Sequence, residues 1–384
     1  MYAINDEILD LFRKEYRQVA RITYKYYSTT YTLTEADILQ GGLTIDRAAF
    51  SGSALEIGAT VASQLNLKLS KLNSTIYTSR LEQAWIFVEV GIKKWDAYNW
   101  ENATVNWIPM GYFKITDLHE DERSITITAL DRMILFDDTV NTSLISLPMK
   151  AKPLIARVCE ICGVEMEPFN RNWYTNELID IEAIPEGLTY RQVLQDLTFL
   201  IGAYNAYITH DGKLAFKSYV DEQELYIDKD EEYKFEIIDK YTIIGITYEH
   251  PGKDSITAVT VSPGNKKHII TYKGNGVLPY DTYYGPDAAQ VYDQSGNLVS
   301  GFVWPLAQKF GGEDYFPFSA ITVPMPQLDG MDVIRMKYLN ERYYRAVYAG
   351  HCTFTLNGNT NIDCLVDKPE NKSYQYNAPP SIVL

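Results

Sequence analysis

Strict alternation of apolar and polar residues is the feature that most limits what this chain can fold into. It recurs through residues 19–135, as where Ala20, Ile22 and Tyr24 alternate with Arg21 and Thr23. A period of two puts the apolar side chains on one face of a β-strand, whereas a helix needs a period near 3.6. Residues 19–135 are therefore predicted to be nearly all strand, folded as a small antiparallel barrel or sandwich. Two more predicted strands carry their apolar residues at Leu65, Leu67, Leu69, Ile86, Val88 and Val90.

A hairpin is predicted inside this stretch. Residues 111–117 and 124–130 both read as strands, and the polar run at 119–123 separates them. Ile125, Ile127 and Ala129 share one face of the second strand, which we expect to point inward. Residues 1–17, before the alternation starts, read instead as a short amphipathic helix.

The period changes near Pro148. Helical spacing predicts a helix over residues 152–162 that stops at Gly163, a residue suited to a helix C-terminus. Thr189 and Gln192 have the spacing of a capping box and predict the start of a second helix, which stops near Gly202. A hairpin over 203–219, with its turn at 210–212, completes a compact α+β unit.

β structure is predicted to resume after an acidic linker at 221–236. Strands are predicted at 237–248, 255–261, 333–338, 343–348, 352–356 and 362–366, and residues 272–318 are rich in Gly, Pro and Tyr without a sustained period. The predicted fold class is mainly β with α+β, built from two antiparallel β-barrel domains and an intervening α+β domain. The predicted domains are the N-terminal helix and first barrel (1–149), the α+β domain (150–224), the second barrel with a C-terminal arm (225–271 and 319–384), and an inserted loop-rich subdomain (272–318).

Charge and hydropathy exclude two classes of partner. The formal net charge is −15, which opposes stable nucleic-acid binding through phosphates. The most apolar stretch, 193–208, is too short and too often interrupted by polar residues to anchor the chain in a membrane. No secretory signal opens the chain, so we expect synthesis and folding in a cytoplasm. The 30 tyrosines, against 14 phenylalanines, favour a β-rich protein with wet contact surfaces.

The four cysteines do not predict a metal or redox site. Cys159 and Cys162 form a C-x-x-C, but the helical pattern around them favours buried core thiols. Cys352 and Cys364 flank the turn at 357–359 almost symmetrically, so they are predicted to be cross-strand neighbours. A disulfide between these two stays open, although a reducing cytosol disfavours it.

No catalytic, cofactor-binding or metal-binding residues are predicted. A metalloprotease helix needs two His one turn apart, whereas the five His are scattered and read as surface or turn residues. The chain has no G-x-S-x-G elbow and no P-loop. We therefore expect a protein that is not an enzyme and holds no cofactor. A glycosidase carboxylate pair among the 50 Asp and Glu remains open, because spacing does not reveal such a pair.

Several segments, taken in order, resemble the baseplate hub proteins of phage tails. This family includes the N-terminal hub module of siphophage tail-associated proteins and the hubs of phage-like bacteriocins and contractile injection particles. The resemblance covers residues 19–219 well and the remainder only as a β pattern. The segments that carry it are LEIGA (55–59), LNLKL (65–69), WIPMGYF (107–113), ITITALDRM (125–133), TYRQVL (189–194), GAYNAYI (202–208) and DGKL (211–214).

The resemblance implies a structural subunit. Three copies with two barrels each would form a ring that adapts a sixfold tail tube to a threefold tip or spike around a central channel. The implied partners are two further copies, the tail tube or distal tail protein ring, the tip or spike protein and the tape-measure protein. The implied location is the tail tip or baseplate of a virion or phage-like particle. The type of tail, whether contractile, flexible or bacteriocin-like, stays open. An acidic lining of the channel would not retain phosphates, which would account for the negative net charge.

Two alternatives belong to other functional classes. One is a tail-associated enzyme that degrades peptidoglycan, with its carboxylates in the loop-rich stretch 272–318. The other is a β-rich receptor-binding or carbohydrate-binding tail protein, which the aromatic content favours.

Overall fold

A computed structural model of the chain describes most of its first half and parts of its second. The predictions for residues 219–235, 272–314 and 368–384, which hold most of the linker, insertion and C-terminal arm, lie outside the described residues. The described residues are 8, 16–49, 56–71, 78–82, 84–94, 104–168, 180–181, 184, 186–200, 204–218, 236–238, 243–248, 258–261, 268–271, 315–330, 332–336 and 345–367.

The N-terminal strands pair antiparallel in the order β3-β5-β8-β7-β6-β1-β2, which confirms the strand-rich first part of the chain. One helical turn, α1 (Thr78–Leu81), precedes β6, and the short β4 pairs with a later strand. The strands are β1 (Tyr16–Tyr26), β2 (Thr29–Thr34), β3 (Ile38–Ala48), β4 (Glu56–Ile57), β5 (Gln64–Ser70), β6 (Trp85–Lys94), β7 (Val105–Glu120) and β8 (Ser124–Asp131).

One apolar core lies inside these strands. The alternating residues that the sequence assigned to the inner face are buried, including Ile22, Leu67, Val88 and Ile127. The end strands β2 and β3 also contribute to this core, and only the 3₁₀ turn Glu35–Asp37 separates them in the chain. The sheet therefore curves back on itself, but no pairing between β2 and β3 closes it within the described residues.

The central segment contains the predicted helices. It comprises β9 (Met149–Lys150), α2 (Ala151–Cys162), β10 (Asp180–Ile181), α3 (Tyr190–Leu200), β11 (Tyr204–Ile208) and β12 (Leu214–Ser218). Gly163 ends α2 in the left-handed region, with φ 68°. The capping box is confirmed: the Thr189 amide donates to Gln192 Oε1 at 2.9 Å, and the Gln192 amide donates to Thr189 Oγ1 at 3.2 Å.

The C-terminal strands extend the same sheet. β19 pairs with β3 through residues 351–355 and with β18 through residues 345–348, so β3 and β18 lie one after the other along the same edge of β19. β20 pairs with the other edge of β19, and β17 and β14 follow in that order. β15 pairs with β16 and β4 in a separate sheet. These strands are β13 (Glu236–Ile238), β14 (Ile243–Tyr248), β15 (Ala258–Val261), β16 (His268–Thr271), β17 (Tyr315–Thr322), β18 (Val333–Met336), β19 (Arg345–Thr355) and β20 (Thr360–Asp367).

The mainly β, antiparallel class with few helices is confirmed. The largest sheet of the described residues has 13 strands, with β2 and β14 at the ends of its main path and β13 at the end of a branch through β18, and these residues form no closed barrel. Two details of the prediction are wrong. Tyr16 and Arg17 begin a strand rather than end a helix, and the two strands predicted at 343–356 form the single strand β19, with a register shift between Ala349 and His351. No helix in the described part of the chain is long and apolar enough to cross a membrane.

Candidate functional site

Four buried ionisable side chains and one half-buried lysine meet where three parts of the chain come together. Arg47 lies on β3, His210 and Lys217 belong to the β11–β12 hairpin, and Asp329 and Asp332 precede β18. We call these five residues the ionic junction. Charged groups are rarely buried unless they are paired, so this cluster is the described feature that most needs a physical account.

Asp329 is the centre of the ionic junction. Its Oδ1 lies 3.1 Å from Arg47 Nε and 3.1 Å from His210 Nε2, and its Oδ2 lies 3.8 Å from Lys217 Nζ. Its backbone amide donates to Asp332 Oδ2 at 2.7 Å. One carboxylate thus joins side chains from the N-terminal strands and the central hairpin to the segment before β18.

Arg47 and His210 also bind backbone carbonyls of β7. Arg47 Nη2 donates to the Met110 carbonyl at 2.6 Å, and His210 Nδ1 lies 2.6 Å from the Pro109 carbonyl. Because a carbonyl only accepts, His210 Nδ1 carries the hydrogen. These carbonyls lie at a register shift between β6 and β7, and Gly111 has a φ of 124°. A bulge of this kind bends the strand and turns its carbonyls toward a new partner.

Lys217 is held by oxygen atoms and an aromatic ring. Its Nζ donates to Asp332 Oδ1 at 2.7 Å and to the Gly330 carbonyl at 3.1 Å. It also lies 4.1 Å from the centre of the Tyr207 ring, a cation–π distance. Burial alone would lower the pKa of Lys217, but Asp332, Tyr207 and Asp329 together raise it above its ordinary value. The ammonium group is therefore charged at neutral pH.

Opposing effects set the protonation of the other two central groups. Burial alone would raise the pKa of Asp329, but His210 and Lys217 hold it well below its usual range. Burial, followed by the charge of Arg47, lowers the pKa of His210 against the pull of Asp329. The two acceptors around the imidazole favour its protonated form, whereas its burial disfavours that form.

Close backbone packing surrounds the ionic junction. The Asn205 amide bridges two segments, because its Nδ2 donates to the Ala49 carbonyl and its Oδ1 accepts from the Ala59 amide, both at 3.1 Å. Gly330 has no room for a side chain, since a Cβ there would lie 2.6 Å from the Ala49 nitrogen. The segment before β18 is therefore pressed directly against the end of β3.

The geometry of the ionic junction suits fixation rather than chemistry. Both nitrogens of His210 face acceptors, and Lys217 is held charged, so neither offers a free base. The adjoining cavity, lined in part by Ser63 and Tyr207, has room for about one water molecule. Within the described residues no three or more His, Cys, Asp or Glu side chains are grouped so that they could hold a metal ion. What the cluster can do is lock three segments in one arrangement.

The cysteines are thiols in the described part of the chain. Cys159 is buried on α2, Cys162 is half-buried, and both are free, as the helical pattern predicts. Burial raises the pKa of each to about 12, so neither forms a thiolate at neutral pH. Cys352 is also free and buried, and its strand neighbour is Ile362, whereas Cys364 pairs with Ala349. The two cysteines lie on adjacent strands, as predicted, but are not directly opposite.

The histidines occupy different environments. His119 is exposed on β7, whereas His210 lies in its predicted turn but is buried in the ionic junction. His351 bridges Asp46 on β3 and Asp363 on β20, and its hydrogen bond to Asp46 raises its pKa. His250 and the His268 side chain lie outside the described residues. The sequence did not predict that any of the junction residues form a site, although Pro109 just before a predicted strand and Gly111 at its start are residue types that often mark a bulge.

Comparison with known proteins gives the fold a context. No known protein family and no curated protein matches the sequence. Among solved structures, the 43 kDa tail protein of prophage MuSo2 from Shewanella oneidensis is 13% identical, with a TM-score of 0.51 over 90% of this chain and 97% of that chain. A tail protein from Neisseria meningitidis MC58 is 8% identical, with a TM-score of 0.52 over 91% and 97%. A chain of the lidded Francisella PdpA-VgrG complex is 11% identical, with a TM-score of 0.50 over 95% of this chain and 54% of that chain.

Proposed function

We propose that this chain is a structural hub subunit at the tip of a phage tail or a phage-like particle. The observation that carries the proposal is the fold, which is similar to two prophage or bacterial tail proteins over nearly the full length of all three chains. The ionic junction supports it, since a buried network that fixes three segments suits a part that transmits force. The segments that resemble baseplate hub proteins support the narrower assignment to the hub.

The proposed assembly is a ring of three copies that adapts a sixfold tail tube to a threefold tip or spike. Each copy would supply two similar β units, the N-terminal strands and the C-terminal strands, completed as barrels in the assembled protein. A closed ring of this kind offers six similar faces to a hexameric neighbour. The proposed partners are the tail tube or distal tail protein ring, the tip or spike protein and the tape-measure protein.

The proposed domains are the first barrel with the N-terminal helix (1–149), the α+β domain (150–224), the second barrel (225–271 with 319–384) and the inserted subdomain (272–318). The net charge of −15 suits a ring around a channel through which DNA or a tape-measure protein passes, because acidic walls do not retain phosphates. Its proposed location is therefore the tail tip, with synthesis in the host cytoplasm.

Electron cryo-microscopy of tails that carry this chain tests the proposal. We expect its density to form a threefold ring between the tube and the tip. Density at the receptor-binding periphery would instead favour the carbohydrate-binding alternative. A zymogram of the purified chain checks the remaining alternative, and clearing of peptidoglycan would contradict a purely structural role.

A further inference from the structure

One end of the 13-stranded sheet, β2, is an open strand edge within the described part of the chain. β2 pairs with β1 from Thr29 to Thr34 without a register shift, and no other strand of the described residues pairs with it. The turn between β1 and β2 has two residues, so Tyr26 and Thr29 exchange hydrogen bonds and the ladder alternates from that pair. Thr30 and Thr32 therefore direct their N–H and C=O groups away from β1, along the open edge.

This edge lacks the features that usually prevent strand addition. β2 contains four threonines, one tyrosine and one leucine, with no charged residue, no proline and no bulge. Natural proteins protect exposed edges with lysine, proline, bulges or a covering segment, because an open edge otherwise recruits another chain. An unprotected edge with strand-forming residues is suited to pairing with a further strand.

Among the described residues, β14 is a second open end of the same sheet, and β13, which contains Glu236, is a third. β14 pairs only with β17 among the described strands, and its six residues from Ile243 to Tyr248 are uncharged as well. Copies of a chain with a net charge of −15 repel one another, so contact between them is favoured where neither side carries charge. The β2 and β14 strands meet this condition, apart from Asp37, which accepts from the Thr34 amide at the far end of β2.

We propose that the β2 edge of one copy pairs with the β14 edge of a second copy, so that the sheet continues from subunit to subunit. This inference rests on the proposed ring and assigns its contact surface. Pairing of unlike edges is a head-to-tail contact, and a ring of such contacts leaves neither the β2 edge nor the β14 edge open. Pairing of β2 with β2 would form a dimer and leave both β14 edges exposed.

The turn beside the β2 edge adds a contact area. Tyr27 is 88% exposed and has a φ of 53°, a left-handed conformation that is uncommon for a tyrosine. Its ring meets that of Tyr26 edge to face, with 4.6 Å between the ring centres. An exposed aromatic pair at the end of an open edge would be buried by the neighbouring subunit, where tyrosine is favoured.

The substitution Thr32→Pro tests this inference with little risk to the fold. It removes an N–H that points outward and takes no part in the β1–β2 ladder, and proline is tolerated on that side of an edge strand. Thr32→Ser keeps the N–H and is the matched control. We expect Thr32→Pro to weaken trimer formation at least tenfold in analytical ultracentrifugation, whereas Thr32→Ser leaves it unchanged. Circular dichroism melting of the monomer checks that both variants fold alike.

A second variant separates head-to-tail from symmetric pairing. Gly245→Pro alters the β14 edge at its register shift, where proline is also tolerated. Each variant alone should be monomeric, whereas an equimolar mixture should form one-to-one dimers through the two intact edges. If the wild type forms trimers and Thr32→Pro does too, the edge assignment is wrong while the proposed ring stands. If the wild type forms no trimer, both fail.

Discussion

At the scale of single residues, the protein concentrates its unusual chemistry in a few buried carboxylates. Asp329 is ionised because three cationic or hydrogen-bonding groups surround it, whereas Asp196 on α3 has an Oδ1 without a hydrogen-bond partner in the described part of the chain. The same side chain is thus stabilising in one place and costly in another, and the difference lies in its partners.

Removing the charge of Asp329 should destabilise the protein strongly. Asp329→Asn leaves the buried Arg47 without its counter-charge, and breaking a buried ion pair in this way costs about 3–5 kcal/mol. The measurement is the free energy of unfolding in urea. Glu122→Gln, the same change of charge at an exposed position, is the control and should change that free energy by less than about 0.5 kcal/mol. A loss for Asp329→Asn as small as that of the control would contradict this account of the ionic junction.

Asp196 should make stability depend on pH. Burial raises its pKa from the ordinary value to about 7, so the folded chain keeps a proton that the unfolded chain releases near pH 4. The contribution of this residue to stability is therefore fully present below about pH 4 and is lost as pH rises to about 7. Asp196→Asn should accordingly raise stability relative to the wild type by on the order of 2–3 kcal/mol more at pH 8 than at pH 5. Equal effects in urea unfolding at both pH values would show that Asp196 is not buried as an acid.

At the scale of elements, the local sequence pattern predicts where the strands and helices lie, but it does not predict where distant segments come into contact. Alternation placed β5, β6 and β8 and assigned their buried faces, and the capping box of Thr189 and Gln192 marked the start of α3. The bulge at 109–111 and the approach of Gly330 to β3 depend on segments that are far apart in the chain. A local pattern contains no information about such contacts, which is why the ionic junction was not predicted.

Gly330→Ala tests that approach directly. The new Cβ would lie 2.6 Å from the Ala49 nitrogen and 2.8 Å from the Ala48 carbonyl carbon, so the two backbones must separate. We expect a loss of about 1–3 kcal/mol and faster hydrogen exchange at the Ala49 amide, which donates to the Gly350 carbonyl at 2.8 Å. Gly163→Ala is the control, because it strains a left-handed φ of 68° but meets no atom within 4 Å. It should cost about 1 kcal/mol without changing exchange at Ala49.

At the scale of the whole molecule, the joint between the N-terminal and C-terminal strands defines the architecture. β3 and β19 are about 300 residues apart in the chain, yet they pair directly, and the ionic junction fastens the central hairpin beside them. The sequence predicted two separate barrels because it showed two groups of strands, and no local signal reveals that one strand of each group pairs with the other. One continuous sheet with open ends at β2 and β14 among the described residues is the arrangement that a ring of copies could extend.

The mass of the native assembly is the most direct test of the central claim, that this chain is a structural subunit of a threefold hub. Native mass spectrometry of the purified chain, at the concentration reached in tail assembly, measures it. The account predicts a species of three copies, each of 43.9 kDa. A chain that stays monomeric there and is also absent from the threefold part of purified tails would contradict it.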